Sequence, residues 1–168
     1  MSNTNDTPNV YIACLACYNA GRLHGVRVDA VDADVIGAAQ VAMQAECGHT
    51  DNDWAIHDQE GFGHVTPSES MSFTDLAALG AAIEEHGAAY LAYVGNVGSD
   101  YATPEGFADS YVGEYASKLD YAYSYVEDTG MLDGVNQLIT SYFDYEAFAR
   151  DLFMDGHTFT DGYVFRDC

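Results

Sequence analysis

Apolar and polar positions along the chain change period several times, and each change marks an element. VYIACLACY (10–18) is a nearly continuous apolar run of small and β-prone residues and predicts a buried strand. Asn19-Ala-Gly21 is a turn signal, and LHGVRVDA (23–30) alternates, so the two runs predict a β-hairpin. Asp32 or Asp34 can cap a following helix, in which Val35, Ala38, Ala39, Ala42 and Met43 share a face and Gly48 supplies the stop. DWAIHD (53–58) predicts a third strand that ends in the turn-like EGFGH.

Pro67 and the PSESMS cluster mark a boundary. Beyond them Thr74 is a candidate N-cap for a helix with Leu76, Leu79, Ala82 and Ile83 on one stripe, closing at Gly87. AAYLAYVGNVG predicts a second helix, and Pro104 opens a third through PEGFADSYVGEYA, so this middle region carries no strand signal. Past residue 115 aromatic residues are dense. Leu119, Tyr123 and Val126 recur at helical spacing before Gly130, and Asp144 can cap a helix with Phe148, Leu152 and Phe153 on its apolar face. The tail HTFTDGYVF predicts a last strand with a turn at Asp161-Gly162. The expected fold class is α+β, an elongated chain of three small lobes: an α+β N-terminal lobe (1–66), a helical middle lobe (67–113) and a mixed C-terminal lobe (114–168).

Composition adds one dominant fact. The 168 residues hold 27 acids against 5 Lys or Arg, a net charge of -22, although 48% of them are apolar. That apolar share is enough for a packed core and separates the chain from disordered acidic tails. Between Arg27 and Lys118 there is no base, while 16 acids run from Asp29 to Glu114. Phosphate recognition needs basic patches, so nucleic acid is excluded as a partner, and an anionic membrane surface with it. The complementary partner is basic. No apolar run is long enough to span a bilayer, and the N-terminus has neither a basic nor an apolar leader segment. The expectation is a cytoplasmic protein with reduced thiols.

Chemistry-bearing motifs are sparse. Cys14 and Cys17 lie within the predicted strand, where alternation sends them to opposite faces. Cys47 and His49 could supply a second pair of ligands, but the four match no common zinc spacing. The cysteines are read as packing residues and no metal or other cofactor is expected. His24, His49, His57, His64, His86 and His157 form no HxxxH or HxH pair. Adjacent acids such as Glu84-Glu85 and Glu127-Asp128 arise by chance in so acidic a chain, and there is no phosphate loop or nucleophile motif. The expectation is a protein that is not an enzyme and has no catalytic residues; a small metal-dependent enzyme using Cys and His is the rival class.

Acids three or four positions apart on a helix sit about 5–6 Å from each other, close to the spacing of phosphates along a DNA strand. Duplex DNA carries two charges per base pair, so a net -22 corresponds to roughly 11 base pairs, about one turn. The side chains assigned to such a DNA-like surface are Asp29, Asp32, Asp34, Glu46, Asp58, Glu60, Glu69 and Asp75 in the first half. Glu84, Glu85, Asp109, Glu114, Asp120, Glu127, Asp128 and Asp133 continue it.

VYIACLACYNAGRLHGVRVDA, DWAIHDQEGF and YFDYEAFARDLF, in that order, resemble the ArdA-type antirestriction proteins, and the resemblance runs from about Val10 to Phe165. It implies an elongated, three-lobed, homodimeric DNA mimic encoded on a mobile element such as a plasmid, conjugative transposon or phage. Such a protein occupies the DNA-binding groove of type I restriction-modification enzymes and inhibits restriction, with methylation open to the same block. The antirestriction motif of the family maps onto Tyr125 to Tyr142, including Glu127, Asp128, Leu132 and Asp133. The aromatic excess at Tyr142, Phe143, Tyr145 and Phe148 is the expected dimer interface. The family pattern does not depend on cysteine at positions 14 and 17. Arg22, one of only five bases, is expected to brace nearby acids. The competing binding class is an acidic regulatory protein that targets another basic DNA-binding partner.

Overall fold

In the computed structural model, residues 7–50 and 53–167 are described. The chain divides into two compact units on either side of the Pro104–Glu105 boundary.

In the first unit, β1 (Asn9–Cys14) is the central strand of an antiparallel sheet, flanked by β2 (Gly25–Asp29) and β3 (Trp54–Glu60). Val10, Ile12 and Cys14 are fully buried beneath the helices. The apolar run does not stay extended to Tyr18: the strand ends at Cys14, and Leu15–Asn19 forms a short helix, α1. β1 and β2 do pair, but the tight hairpin expected at Asn19–Gly21 is replaced by this helix and a short loop. Strand pairing runs out at Cys14–Trp54, and nothing then holds the backbone extended.

α2 (Ala33–Cys47) is bounded as its sequence signals require. The Asp32 carboxylate accepts the Asp34 and Val35 N–H groups, and Gly48, at φ 74°, lets the Gly48 and His49 N–H groups close on the carbonyls of Ala45 and Gln44. Its buried face is one position round from the expected one. Ile36, Gln40, Met43 and Gln44 are buried, and Val35 is exposed. The buried amides are hydrogen-bonded, Gln40 donating to the Gln44 carbonyl oxygen and Gln44 to the Asp53 carbonyl at 3.3 Å, which is why polar residues can occupy that face. α3 (Phe73–His86) begins two residues before expected, with Ser72 rather than Thr74 as the N-cap, and α4 (Ala88–Val97) follows Gly87 directly. Leu76, Ile83 and Tyr90 complete the core, and Trp54 stacks on Phe73 at 4.3 Å.

The second unit starts with α5 (Pro104–Ser110), and here the all-helical expectation fails. β4 (Tyr111–Glu114) leaves the helix and pairs with β6 (Tyr163–Arg166), which in turn pairs with β5 (His157–Thr160). The tail is therefore a two-stranded hairpin, not one strand. Asp161 and Gly162 both take positive φ (53° and 90°), the combination a two-residue hairpin turn needs. α6 (Lys118–Thr129) is capped by Ser117 and stopped by Gly130, α7 (Gln137–Thr140) is a single turn, and α8 (Tyr145–Leu152) is capped by Asp144. Phe107, Tyr121, Val126, Val164 and Phe165 are the buried centre. The fold is α+β.

Candidate functional site

Every Asp and Glu among the described residues is exposed, including all sixteen assigned to the DNA-like surface. A carboxylate resists burial without a partner, and with five bases in the chain partners are scarce. The acids nevertheless differ in what they touch. Asp32 caps α2, and Asp75 and Asp120 accept hydrogen bonds of 2.6 Å from the cap hydroxyls of Ser72 and Ser117. Asp128 accepts from Ser124 Oγ at 3.1 Å, and Glu85 lies 3.9 Å from His86. Glu46, Glu69, Glu84, Glu127 and Asp133 have no side-chain partner among the described residues.

Asp58 and Glu60 form a separate case. They project from the same face of β3, and Arg27, reaching across from β2, pairs with Asp58, approaches Glu60 at 3.6 Å and donates to Asn9 Oδ1 at 2.7 Å. The Arg27 hydrogen bond is the main cause that holds the Asp58 carboxyl below its ordinary range, with the Gln59 N–H adding to it. This corner of the sheet thus offers less free negative charge than the sequence suggests.

The remaining bases are engaged as well. Lys118 sits 5.1 Å over the Phe153 ring, Arg150 pairs with Asp151, and Arg166 donates to the Asp109 carbonyl. Among the described residues Arg22 does not brace an acid. Its guanidinium donates to the sulfur of Cys17 at 3.6 Å.

The residues assigned to the antirestriction motif and dimer interface separate into two sets. Tyr125, Phe143, Tyr145 and Phe148 are half-buried and pack on one another: Phe143–Tyr145 at 4.8 Å, Phe143–Phe148 at 5.4 Å, Tyr125–Phe148 at 5.9 Å. They belong to the unit's own aromatic core, and Leu132 is half-buried beside Gly130 and Met131 in sequence. Tyr142, at 81% exposed, is outward-facing, and the same segment presents Leu138 and Ile139 at 68% and 64%. Sequence reasoning missed these two aliphatic residues because α7 is too short to show a helical period.

The alternation expected to send Cys14 and Cys17 to opposite faces does not hold. Because β1 gives way to α1 at Cys14, Cys17 lies one helical turn further on, on the same side, not across a pleat. The last residue of α2 and the Gly48 turn after it bring Cys47 and His49 against them. The three sulfurs and His49 Nδ1 all lie within 4.8 Å of one another. Nδ1 is 3.3 Å from the Cys14 sulfur, 3.5 Å from that of Cys17 and 3.3 Å from that of Cys47, and the Cys14 and Cys47 sulfurs are 3.7 Å apart.

The family model described as "Antirestriction protein (ArdA)" matches residues 10–165, nearly the whole chain. The chain belongs to the ArdA antirestriction family. A search of curated proteins gave no match. Membership gives the protein an antirestriction role directed at restriction enzymes. No helix is long and apolar enough to cross a membrane among the described residues.

Proposed function

We propose that this ArdA-family protein inhibits restriction by presenting its carboxylates as a substitute for the phosphates of duplex DNA, and that it occupies the DNA-binding groove of a type I restriction-modification enzyme. The observation that carries this reading is that every described acid faces solvent while the described bases are tied to neighbours on their own chain. A basic groove meeting such a surface releases its own bound anions as it would on meeting DNA, and gains affinity from that release. With no base edges on offer, inhibition does not depend on the recognition sequence of the enzyme. It acts in the cytoplasm, where the restriction enzyme meets incoming DNA, and its gene travels on a mobile element.

The protein acts as a homodimer joined through the exposed segment around Leu138, Ile139 and Tyr142, an apolar patch that a lone subunit leaves in water.

The test is competition. Purified protein displaces duplex DNA from a type I modification methyltransferase, and the displacement constant weakens steeply as salt is raised from low to moderate concentration. Failure to displace DNA, or an affinity indifferent to salt, overturns the reading. Recovery of histone-like proteins instead of restriction subunits from a lysate supports the rival basic partner.

A further inference from the structure

We infer that Cys14, Cys17, Cys47 and His49 form a structural zinc site in the N-terminal unit. The decisive feature is convergence on a point. A neutral imidazole nitrogen can make one hydrogen bond along its single lone pair or its single N–H. Here one Nδ1 is 3.3–3.5 Å from three different sulfurs, more neighbours than hydrogen bonding can use. The same distances are natural if all four atoms ligate one ion. Tetrahedral zinc with bonds of about 2.3 Å to sulfur and about 2.0–2.1 Å to nitrogen places neighbouring donor atoms about 3.5–3.8 Å apart. The His49–sulfur and Cys14–Cys47 separations of 3.3, 3.5 and 3.7 Å lie within a few tenths of an ångström of that, and the four donor atoms, all within 4.8 Å of one another, would close by at most about 1 Å onto an ion.

The donor set selects the metal. Three thiolates and an imidazole in tetrahedral array suit zinc, whereas calcium and magnesium require oxygen ligands. All four positions are filled by the protein, so no site remains for water or substrate, and the role is structural. Cys14 and Cys17 are buried, and Cys47 and His49 are half-buried, which leaves an entry path on the α2 side.

The scaffold fits the task. Cys14 and Cys17 are presented by the junction of β1 and α1. Cys47 is the last residue of α2, and the left-handed Gly48 turns His49 back, its N–H held by the Gln44 carbonyl at 3.1 Å. A zinc ion would join the sheet to the end of α2, linking segments some thirty residues apart in the chain. Three thiolates around a divalent ion leave one net negative charge. Arg22, donating to the Cys17 sulfur, is placed to offset it, as outer-shell donors do for metal thiolates.

Metal analysis of the full-length protein, purified under reducing conditions, is expected to give one zinc per chain. Replacement by cobalt is expected to give the intense visible bands of a tetrahedral thiolate centre. Cys17→Ser and Cys47→Ser lose stoichiometric metal, His49→Cys retains it with stronger sulfur-to-cobalt charge transfer, and Cys168→Ser is unaffected. Should the serine variants not fold, the wild-type protein still answers: chelation removes the zinc and lowers the melting temperature, and readded zinc restores it. Purified protein that holds no metal and takes up no cobalt overturns the site, as does an octahedral cobalt spectrum or a Cys14–Cys47 disulfide under reductant. These readouts are independent of antirestriction activity.

Discussion

Gly80, in the middle of α3, lies against the backbone of Ala30. A Cβ built on it would fall 1.8 Å from the Ala30 carbonyl oxygen and 2.6 Å from the carbonyl carbon. The glycine is what allows α3 to settle on the chain leaving β2, and the burial of Leu76 and Ile83 depends on that approach.

Gly80→Ala should therefore destabilise the protein, although alanine is ordinarily favoured over glycine inside a helix by about 1 kcal/mol. The obstacle is backbone, which cannot rotate away, and overpacking of this kind costs about 1–3 kcal/mol or more. Gly37, inside α2, is the control: a Cβ there meets only Phe73 Cδ2, at 3.8 Å. Gly37→Ala should be neutral or stabilising. Urea unfolding of the two variants should shift the midpoint in opposite directions.

Charge and stability can be separated at Asp32. Asp32→Ala removes both the carboxylate and the cap on α2 and should cost about 1 kcal/mol. Asp32→Asn keeps a capping oxygen and should leave the melting temperature nearly unchanged. Glu84→Gln, with no partner to lose, should be silent in thermal melts. If inhibition is spread over many weak contacts, Asp32→Asn and Glu84→Gln each lower it only slightly, and a combined variant lowers it by roughly the product of the separate effects.

The Arg27–Asp58 pair gives a pH signature. Because its partner depresses the folded-state pKa of Asp58 below the ordinary 3.8, the carboxylate contributes stability above pH 3.8, and that contribution is lost as pH falls through the lower folded value. Both side chains are more than a third exposed, so the effect on overall stability is small. An NMR titration should show Asp58 ionising at lower pH than a free aspartate, and Arg27→Gln should return it toward the ordinary value.

Tyr142→Ser combined with Leu138→Asp should convert the proposed dimer to a monomer in sedimentation experiments. Phe148→Ser, in the aromatic cluster, should instead lower the melting temperature, because Phe148 packs on Tyr125 and Phe143 within its own unit. A wild-type protein that sediments as a monomer at micromolar concentration would remove the dimer from the account.

What the sequence determined by itself was local. Asp32, Gly48, Gly87, Gly130 and Asp144 mark helix ends because a cap acts on N–H groups two or three residues away, or on the φ of one residue. The net charge of -22 likewise needs only counting. Tertiary structure decided the rest. A buried apolar run such as VYIACLACY has no solvent face to give it a period, so the change from strand to helix at Cys14 depends on where β3 stops pairing. Tyr111–Glu114 becomes a strand only because β6, some fifty residues later, offers it an edge. The split of the aromatic residues into core and surface, and the meeting of Cys14 and Cys17 with Cys47 and His49, follow from packing between distant segments, which no short-range pattern encodes.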